Sequence, residues 1–186
     1  MANDSNECIK ADMYRYFGET RIPLKKRLMV SLAVRYLIVF RKAHFSKNVI
    51  ARHYYQLRLN RLMRMSMIQI PAETKIGKGF YIGHFGRIII HPRVVMGENI
   101  NIATGVTIGK SNRGMKRGTP TIGNNVWIGT NAVIVGDIVI GEDVLIAPNS
   151  YVNFDVPSHS IVIGNPAKIH FRANATEGYI NRPFIK

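Results

Sequence analysis

The chain has 186 residues, enough for one domain with a core of its own and too short for two full-sized domains. It carries 26 Lys and Arg against 11 Asp and Glu, which gives a formal net charge of +15. The single cysteine excludes an internal disulfide, and the first residues contain Asp4 and Glu7 without the apolar run of a secretory signal. These features predict a cytoplasmic protein.

The positive charge is concentrated in one segment of the chain. From Thr20 to Ala72 there are twelve Lys and Arg residues and no Asp or Glu, and apolar residues lie between them. This pattern suits an anionic membrane surface, a polyphosphate or a nucleic acid, and by itself does not choose among them. The most apolar stretch, Leu28 to Phe40, has 13 residues, short of the ~20 needed to span a bilayer. We predict peripheral contact with the inner face of the cytoplasmic membrane, with nucleic acid as the less favoured partner.

Hydrophobic periodicity predicts two or three helices in the first third of the chain. The first apolar residues recur at helical spacing and end at Gly18, a typical C-terminal stop. Pro23 can open a second helix, and a third segment covers Val49 to Met65. Residues 1–67 are therefore assigned to an N-terminal basic helical region.

After residue 67 the hydrophobic period changes to six. Thirteen aliphatic residues fall at every sixth position in two runs: Ile70, Ile76, Ile82, Ile88, Val94, Ile100, Val106, and Ile122, Ile128, Ile134, Ile140, Ile146, Val152. A hexapeptide repeat explains this period, because each six-residue segment forms a short strand and a turn, and three segments make one triangular coil. A β-sandwich does not explain a period of six residues. We predict a parallel β-helix of about four coils over residues 68–170, followed by a C-terminal tail over residues 171–186.

The two runs are out of step, because the interval from Val106 to Ile122 is not a multiple of six. The polar segment from Lys110 to Pro120 must therefore loop out of the β-helix. Loops on a rigid scaffold often carry function. Four positive charges lie on this one: Lys110, Arg113, Lys116 and Arg117. They could bind an anionic ligand, although a run of charge is more often a solvated surface.

Several segments resemble the hexapeptide-repeat acyltransferases, among them Ile-Gly-His-Phe-Gly-Arg-Ile-Ile-Ile at 82–90, Val-Trp-Ile-Gly at 126–129 and Gly-Asn-Pro-Ala-Lys at 164–168. Over roughly Gln69 to Lys168 the chain is most similar to the branch that contains serine acetyltransferase and the colanic-acid-type polysaccharide O-acetyltransferases. The resemblance implies a left-handed parallel β-helix, an acyl-CoA-dependent O-acetyltransferase and a homotrimer. It also implies acetyl-CoA as co-substrate, bound in the groove between neighbouring β-helices. The period alone does not determine the handedness.

The resemblance also implies a general base at the protomer interface. His84 occupies the position of the family's histidine, and a histidine with an ordinary pKa of about 6.5 suits reversible proton transfer. Without that context, a lone histidine in a turn would more often be structural. Gln69 stands where the family has an acidic residue that orients the histidine; its amide can accept a hydrogen bond but cannot offset an imidazolium charge. Glu73 is an alternative orienting group.

Further residues are assigned to acetyl-CoA by the same resemblance. Thr130 and Ala147 match positions that pack the pantetheine arm, and Lys168 matches one near the nucleotide end. Gly109 and Lys110, where the loop begins, are also assigned to the cofactor. A γ-class carbonic anhydrase uses this β-helix too, but it needs three zinc histidines, two of them close in sequence. That spacing is absent from the sequence, so we expect no metal.

Departures from the family pattern bear on the acceptor. Gly83 replaces the acidic residue that serine acetyltransferase uses for its acceptor, and Gly118 to Pro120 replace its Arg-His pair. These differences favour a sugar hydroxyl of a bacterial cell-surface polysaccharide or its precursor, and predict that free serine is a poor substrate. Gly83, Trp127 and Arg113 are the expected acceptor contacts, with interface packing an equal alternative for Trp127. Serine O-acetyltransferase is the alternative enzyme, and a non-catalytic scaffold that binds membrane or nucleic acid is the alternative from another class.

Overall fold

The computed structural model describes residues 2–20 and 30–185. Pro23, where a second helix was predicted to begin, lies outside them. The helical region consists of α1 (Ala2–Phe17), α2 (Leu32–Phe45) and α3 (Val49–Ser66). The side-chain oxygens of Ser31 and Asn48 cap the first turns of α2 and α3. In the described parts of the chain, no helix combines the length and the apolar character needed to cross a membrane.

Fifteen short strands follow the helices in the described chain. They are β1 (Ile68–Gln69), β2 (Lys75–Ile76), β3 (Tyr81–Ile82), β4 (Ile88–Ile90), β5 (Val95–Met96), β6 (Asn101–Ile102), β7 (Thr107–Gly109), β8 (Thr121–Ile122), β9 (Val126–Ile128), β10 (Val133–Val135), β11 (Val139–Ile140), β12 (Val144–Ile146), β13 (Tyr151–Val152), β14 (Ser160–Gly164) and β15 (Ala167–Phe171).

The strands form the three faces of a parallel β-helix. Sheet A contains β1-β4-β7-β10-β13, sheet B contains β2-β5-β8-β11, and sheet C contains β3-β6-β9-β12-β14-β15. Every third strand pairs in parallel up to β13, β14 pairs in parallel with β12, and among the described strands only β15 runs antiparallel, against β14. New coils begin at β1, β4, β7, β10 and β13, so there are five coils rather than the predicted four. The count was too low because the last coil departs from the six-residue period after Val152.

The interior of the β-helix confirms the hexapeptide interpretation. All thirteen aliphatic residues at sixth positions are buried, with at most 7% of their surface exposed. Burial of each such side chain contributes about 1.5–3 kcal/mol relative to exposure. The core therefore follows directly from the repeat.

The first coil would leave one unpaired edge on each sheet, because no coil precedes it. On sheet A, the Tyr36 hydroxyl donates to the Ile70 carbonyl at 2.7 Å and accepts from the Ile70 N–H at 3.0 Å. On sheet C, the Tyr16 hydroxyl makes the same pair of bonds with Ile82, both at 2.8 Å. Burial raises the pKa of both tyrosines, so their hydroxyls stay protonated and can donate. The helices thus supply the missing backbone partners.

A buried ion pair covers the edge of sheet B. Arg41 donates to the carbonyls of Ile76 and Gly77, each at 2.6 Å, and its Nε lies 2.8 Å from Asp12 Oδ2. Asp12 also accepts a hydrogen bond from Phe80 N at 2.8 Å. Burial raises the pKa of Asp12, against the opposing effect of the Arg41 charge. Arg41 was counted among the basic residues predicted to face a membrane, and it is instead buried inside the protein. The predicted domain boundary at residue 67 stays a prediction. The buried contacts described above join the helices to the first coil across it.

Candidate active site

His84 lies at a corner of the first coil. β3 of sheet C ends at Ile82 and β4 of sheet A begins at Ile88, so residues 83–87 turn the chain from sheet C to sheet A, at what we call the C–A corner. The His84 side chain is exposed, and within residues 2–20 and 30–185 it has no hydrogen bond or ion pair. An exposed imidazole without a protein partner is available to a bound substrate.

The turn that carries His84 is fixed on the C-terminal side of the histidine by a backbone hydrogen bond at Gly86. The Gly86 N–H donates to the Ser66 carbonyl at the end of α3, at 3.0 Å. Gly86 has a φ of 143°, and a Cβ atom there would collide with Thr104 Oγ1. Only glycine fits this conformation and this space. The family-like motif therefore has a local steric reason for the glycine two positions after the histidine.

The C–A corner recurs in each later coil, one strand spacing of ~4.8 Å higher. Thr130 lies at this corner in the third coil, between β9 and β10, and Ala147 lies there in the fourth, between β12 and β13. His84, Thr130 and Ala147 therefore share one ridge parallel to the β-helix axis. Three of the predicted site residues are brought together in this way.

Other predicted cofactor residues lie elsewhere in the protomer. Gly109 ends β7 and Lys110 follows it, so both lie at the corner between sheets A and B, the A–B corner. Lys168 is exposed on β15 and pairs with Ile163 at the last coil. Within one protomer these residues do not join His84.

The predicted loop is present between β7 and β8, at the A–B corner. Ser111 and Gly118 exchange backbone hydrogen bonds of 3.0 and 3.1 Å, which closes a small hairpin. Lys116 Nζ lies 2.6 Å from Asp155 Oδ2 and ties the loop to the last coil. Arg113 is exposed on this loop, away from the C–A corner of its own protomer.

Trp127 lies on the outer side of sheet C rather than at the C–A corner. Its ring centroid is 4.9 Å from that of Tyr179 in the C-terminal tail of residues 171–186, called the C-terminal segment below. The two rings border a pocket of about 580 Å³ that Arg15 and Asn101 also line. Of the three predicted acceptor contacts, only Gly83 is adjacent to His84.

The two candidates for orienting His84 differ in position. Gln69 is exposed on sheet A and lies opposite Ile89, and no hydrogen bond joins it to His84 in the part of the chain that the structure describes. Glu73 follows β1 at the A–B corner and borders a pocket of about 400 Å³ with His44 and His53. Because this is a different corner of the same coil, Glu73 does not orient His84 within the protomer.

Two residues near His84 were not singled out from the sequence. Arg87 is exposed at the same corner, three positions after His84, and its place in the motif of residues 82–90 was a signal that could have identified it. Tyr16 bonds to Ile82, two residues before His84. The two residues are 66 positions apart, so local sequence contained no signal for this contact.

Comparison with known proteins places the chain in a family. The family model described as bacterial transferase hexapeptide (six repeats) matches residues 119–153. Serine acetyltransferase of Helicobacter pylori (strain ATCC 700392 / 26695) is 33% identical over 143 residues, which cover 76% of this chain and 82% of that protein. The chain belongs to the serine acetyltransferase family of hexapeptide-repeat transferases. The predicted enzyme class, an acyl-CoA-dependent acetyltransferase, is confirmed.

Other serine acetyltransferases extend this result. Serine acetyltransferase 4 of Arabidopsis thaliana is 36% identical over 110 residues, 59% of this chain, but the chain spans only 31% of that protein's length. The Neisseria gonorrhoeae enzyme in complex with serine has a TM-score of 0.73 and 30% identity, covering 90% of this chain and 69% of that one. The Brucella abortus strain S19 enzyme in complex with Coenzyme A has a TM-score of 0.74, with coverage of 92% and 68%; at 23% identity it shows a likeness of fold alone.

The glycan acceptor predicted from the sequence is wrong, because these relatives are serine acetyltransferases. The prediction depended on the family side chains that are missing at Gly83 and at residues 118–120. The absence of a side chain excludes one contact with serine. It does not exclude serine as the acceptor, because groups on other elements can bind a small amino acid. The alternative acceptor, serine, is the one that the comparisons favour.

Proposed function

We propose that this member of the serine acetyltransferase family transfers an acetyl group from acetyl-CoA to the hydroxyl of L-serine, with His84 as the general base. The observation that carries the proposal is the exposed His84, without a protein partner in the described residues, at the C–A corner of a chain whose relatives are serine acetyltransferases. Histidine is the side chain most often used for such proton transfer.

The reaction is a direct transfer. His84 takes the proton of the serine hydroxyl as the oxygen attacks the thioester carbonyl, and backbone N–H groups stabilise the oxyanion. The tetrahedral intermediate then breaks its C–S bond, and the CoA thiolate takes the proton back from the imidazolium. The products are O-acetylserine and CoA. Binding both substrates in the reactive geometry supplies much of the rate enhancement.

The ridge with Thr130 and Ala147 is the proposed path of the pantetheine arm from His84 towards Lys168. Gly109 and Lys110 would reach this ridge from a neighbouring protomer of a homotrimer. Sheet A supports this assembly, because Ile89 and Tyr151 are each 37% exposed on its outer side. If sheet A faces a threefold axis, the C–A corner of one protomer meets the A–B corner of the next.

The acceptor's carboxylate needs a cation. Arg87 is exposed at the corner that carries His84, and a guanidinium can bind a carboxylate through two parallel hydrogen bonds. We assign it this role in place of the family groups that Gly83 and residues 118–120 lack.

The test is turnover by the purified protein. Acetyl-CoA with L-serine should release CoA, measured as free thiol, and yield O-acetylserine, measured by mass spectrometry. D-serine and a reaction without acceptor are the controls. A folded protein that releases no CoA with L-serine, or releases it equally without acceptor, contradicts the proposal.

A second surface favours contact with an anionic membrane. We call it the α3 outer face; it consists of exposed apolar and basic residues: Ile50, Tyr54, Leu57, Arg58, Arg61, Arg64 and Met65. No acidic residue occurs between Thr20 and Ala72 to offset these charges. Each Lys or Arg near an anionic leaflet contributes about 1 kcal/mol of attraction. We infer that this face binds the lipid surface.

Vesicle flotation tests this contact. The protein should float with vesicles that contain anionic lipid and dissociate as salt is raised. Replacing Arg58, Arg61 and Arg64 by Gln should abolish flotation, whereas Arg35→Gln on α2 should leave it nearly unchanged. Equal flotation with neutral vesicles contradicts an electrostatic membrane contact.

A further inference from the structure

Two tyrosines perform the same task at the open end of the β-helix. The Tyr16 hydroxyl occupies both backbone hydrogen-bonding groups of Ile82, and the Tyr36 hydroxyl occupies both groups of Ile70. The four distances lie between 2.7 and 3.0 Å. In chemical terms the two contacts are equivalent, so removal of either hydroxyl leaves one N–H and one C=O of the first coil without a partner.

The two contacts differ in the corner to which each anchored residue leads. Ile82 is the last residue of β3 and leads directly into the C–A corner with His84. Ile70 comes directly after β1 and leads into the A–B corner, on another side of the coil. The Tyr16 ring also packs on Tyr81, with centroids 4.4 Å apart. α1 therefore fixes β3, the strand that leads into the turn with His84.

The position of His84 depends on its backbone anchors. No described residue bonds to its side chain, so the ring is placed by the turn on which it sits. Two anchors join the turn to the helical region: the hydrogen bond from Gly86 to Ser66, and Ile82, which Tyr16 holds. The Gly83 N–H, between Ile82 and His84, donates to the Ile102 carbonyl at 3.0 Å and joins the turn to the second coil.

We propose that Tyr16 is a positioning residue for the acetyl transfer, acting through the backbone of Ile82 on the placement of His84. The inference rests on the proposed function, because it requires His84 to be the base. It assigns to α1 a role in catalysis that Tyr36, on α2, does not share.

The experiment compares Tyr16→Phe with Tyr36→Phe, which both keep the ring and remove the hydroxyl. The midpoint of thermal unfolding should fall by a similar amount in both variants. Only Tyr16→Phe should lower kcat, by about tenfold, because a small displacement of a catalytic group is costly, while the KM for acetyl-CoA stays within about twofold. Equal kcat values for the two variants at matched folded fractions would overturn the positioning role.

A double variant separates positioning from general damage. Adding Tyr16→Phe to His84→Ala should cause no further loss of kcat, since no base is left to position. A full additional tenfold loss would show that Tyr16 acts independently of His84 and would also overturn the inference. Near-normal turnover of His84→Ala alone is a distinct result, which contradicts the proposed function itself.

Should Tyr16→Phe not fold, Tyr81→Leu tests the same anchor. It leaves the Tyr16 hydroxyl in place but removes the ring on which Tyr16 packs, and so weakens the support of its two hydrogen bonds to Ile82. We expect kcat to fall about threefold, again without a further loss in the His84→Ala background. Unchanged kcat in folded Tyr81→Leu would overturn the role of this anchor.

Discussion

The open edge of the first coil and the C–A corner use polar side chains in opposite ways. At the edge, Tyr36 and Arg41 are buried, and their polar groups meet backbone or carboxylate partners. At the corner, His84 is exposed, and none of the described residues bonds to its side chain. Paired buried groups stabilise a fold, because leaving either partner unsatisfied is costly, whereas an unpaired exposed group is free to bind a substrate. Substitutions at the open edge should therefore lower the free energy of unfolding, and substitutions at the C–A corner should lower kcat.

The largest expected effect is on activity, at the corner. His84→Ala should lower kcat by ~10² to 10⁴ because no other group takes the serine proton. His84→Asn should do the same, since an amide does not accept the proton. Because the side chain is exposed, the free energy of unfolding should change by less than about 0.5 kcal/mol. Enzyme assays and urea unfolding check both statements, and near-normal turnover of a folded variant would remove the base from the mechanism.

The opposite result is expected at the edge. Arg41→Met leaves the buried Asp12 carboxylate without its partner, so the free energy of unfolding should fall by about 3–5 kcal/mol, measured by urea unfolding. The kcat of the molecules that remain folded should stay within about twofold, because Arg41 is not at the C–A corner. Asp12→Asn combined with Arg41→Met should recover part of the lost stability. A large loss of kcat in fully folded Arg41→Met would contradict the assignment of stability to the open edge and of activity to the C–A corner.

The C-terminal segment extends the comparison to another set of paired groups. Asp143 accepts hydrogen bonds from Ala175 N at 3.0 Å and from Thr176 N and Oγ1 at 3.0 and 2.7 Å. Burial opposes ionisation of Asp143, but the hydrogen bonds from Thr176 and His159 outweigh it and lower the pKa of the carboxyl group.

A carboxyl group whose pKa is lowered by folding stabilises the structure above its unfolded pKa, and this contribution is lost as the pH falls through the folded value. Acidification below about pH 4 should therefore release the C-terminal segment. Trp127 fluorescence should report the release, since Tyr179 moves away from its ring. Asp143→Asn should weaken the attachment by roughly 1–2 kcal/mol at neutral pH. Fluorescence that stays constant between pH 6 and the onset of global acid unfolding would contradict this anchoring role.

The smallest effect is expected for Gln69, which makes no hydrogen bond to His84 within the described residues of one protomer and would orient the ring only once the active site is assembled. Gln69→Ala should lower kcat by roughly two- to fivefold and leave the KM for acetyl-CoA unchanged. Gln69→Glu, which restores a negative charge at the family's acidic position, should raise kcat above that of the parent. No change in either variant would mean that the corner holds its histidine without help from sheet A.

The sequence alone predicted the β-helix, because a repeat of six expresses a local rule that each coil obeys in turn. The buried aliphatics from Ile70 to Val152 and the loop at residues 110–120 both follow from counting along the chain. His84 was selected by motif, and the structure places Thr130 and Ala147 on the same ridge because all three occupy equivalent positions in different coils.

Only the tertiary structure decided which polar residues serve the fold and which are left for function. Arg41 and Arg58 belong to the same basic segment, yet Arg41 is buried against Asp12 and Arg58 is exposed on α3. Tyr16 contacts Ile82 across 66 positions of sequence, and Glu73 lies at a different corner from His84 despite being near it in the chain. Such contacts depend on how the helices pack on the first coil, and residue periodicity does not encode the packing of distant segments.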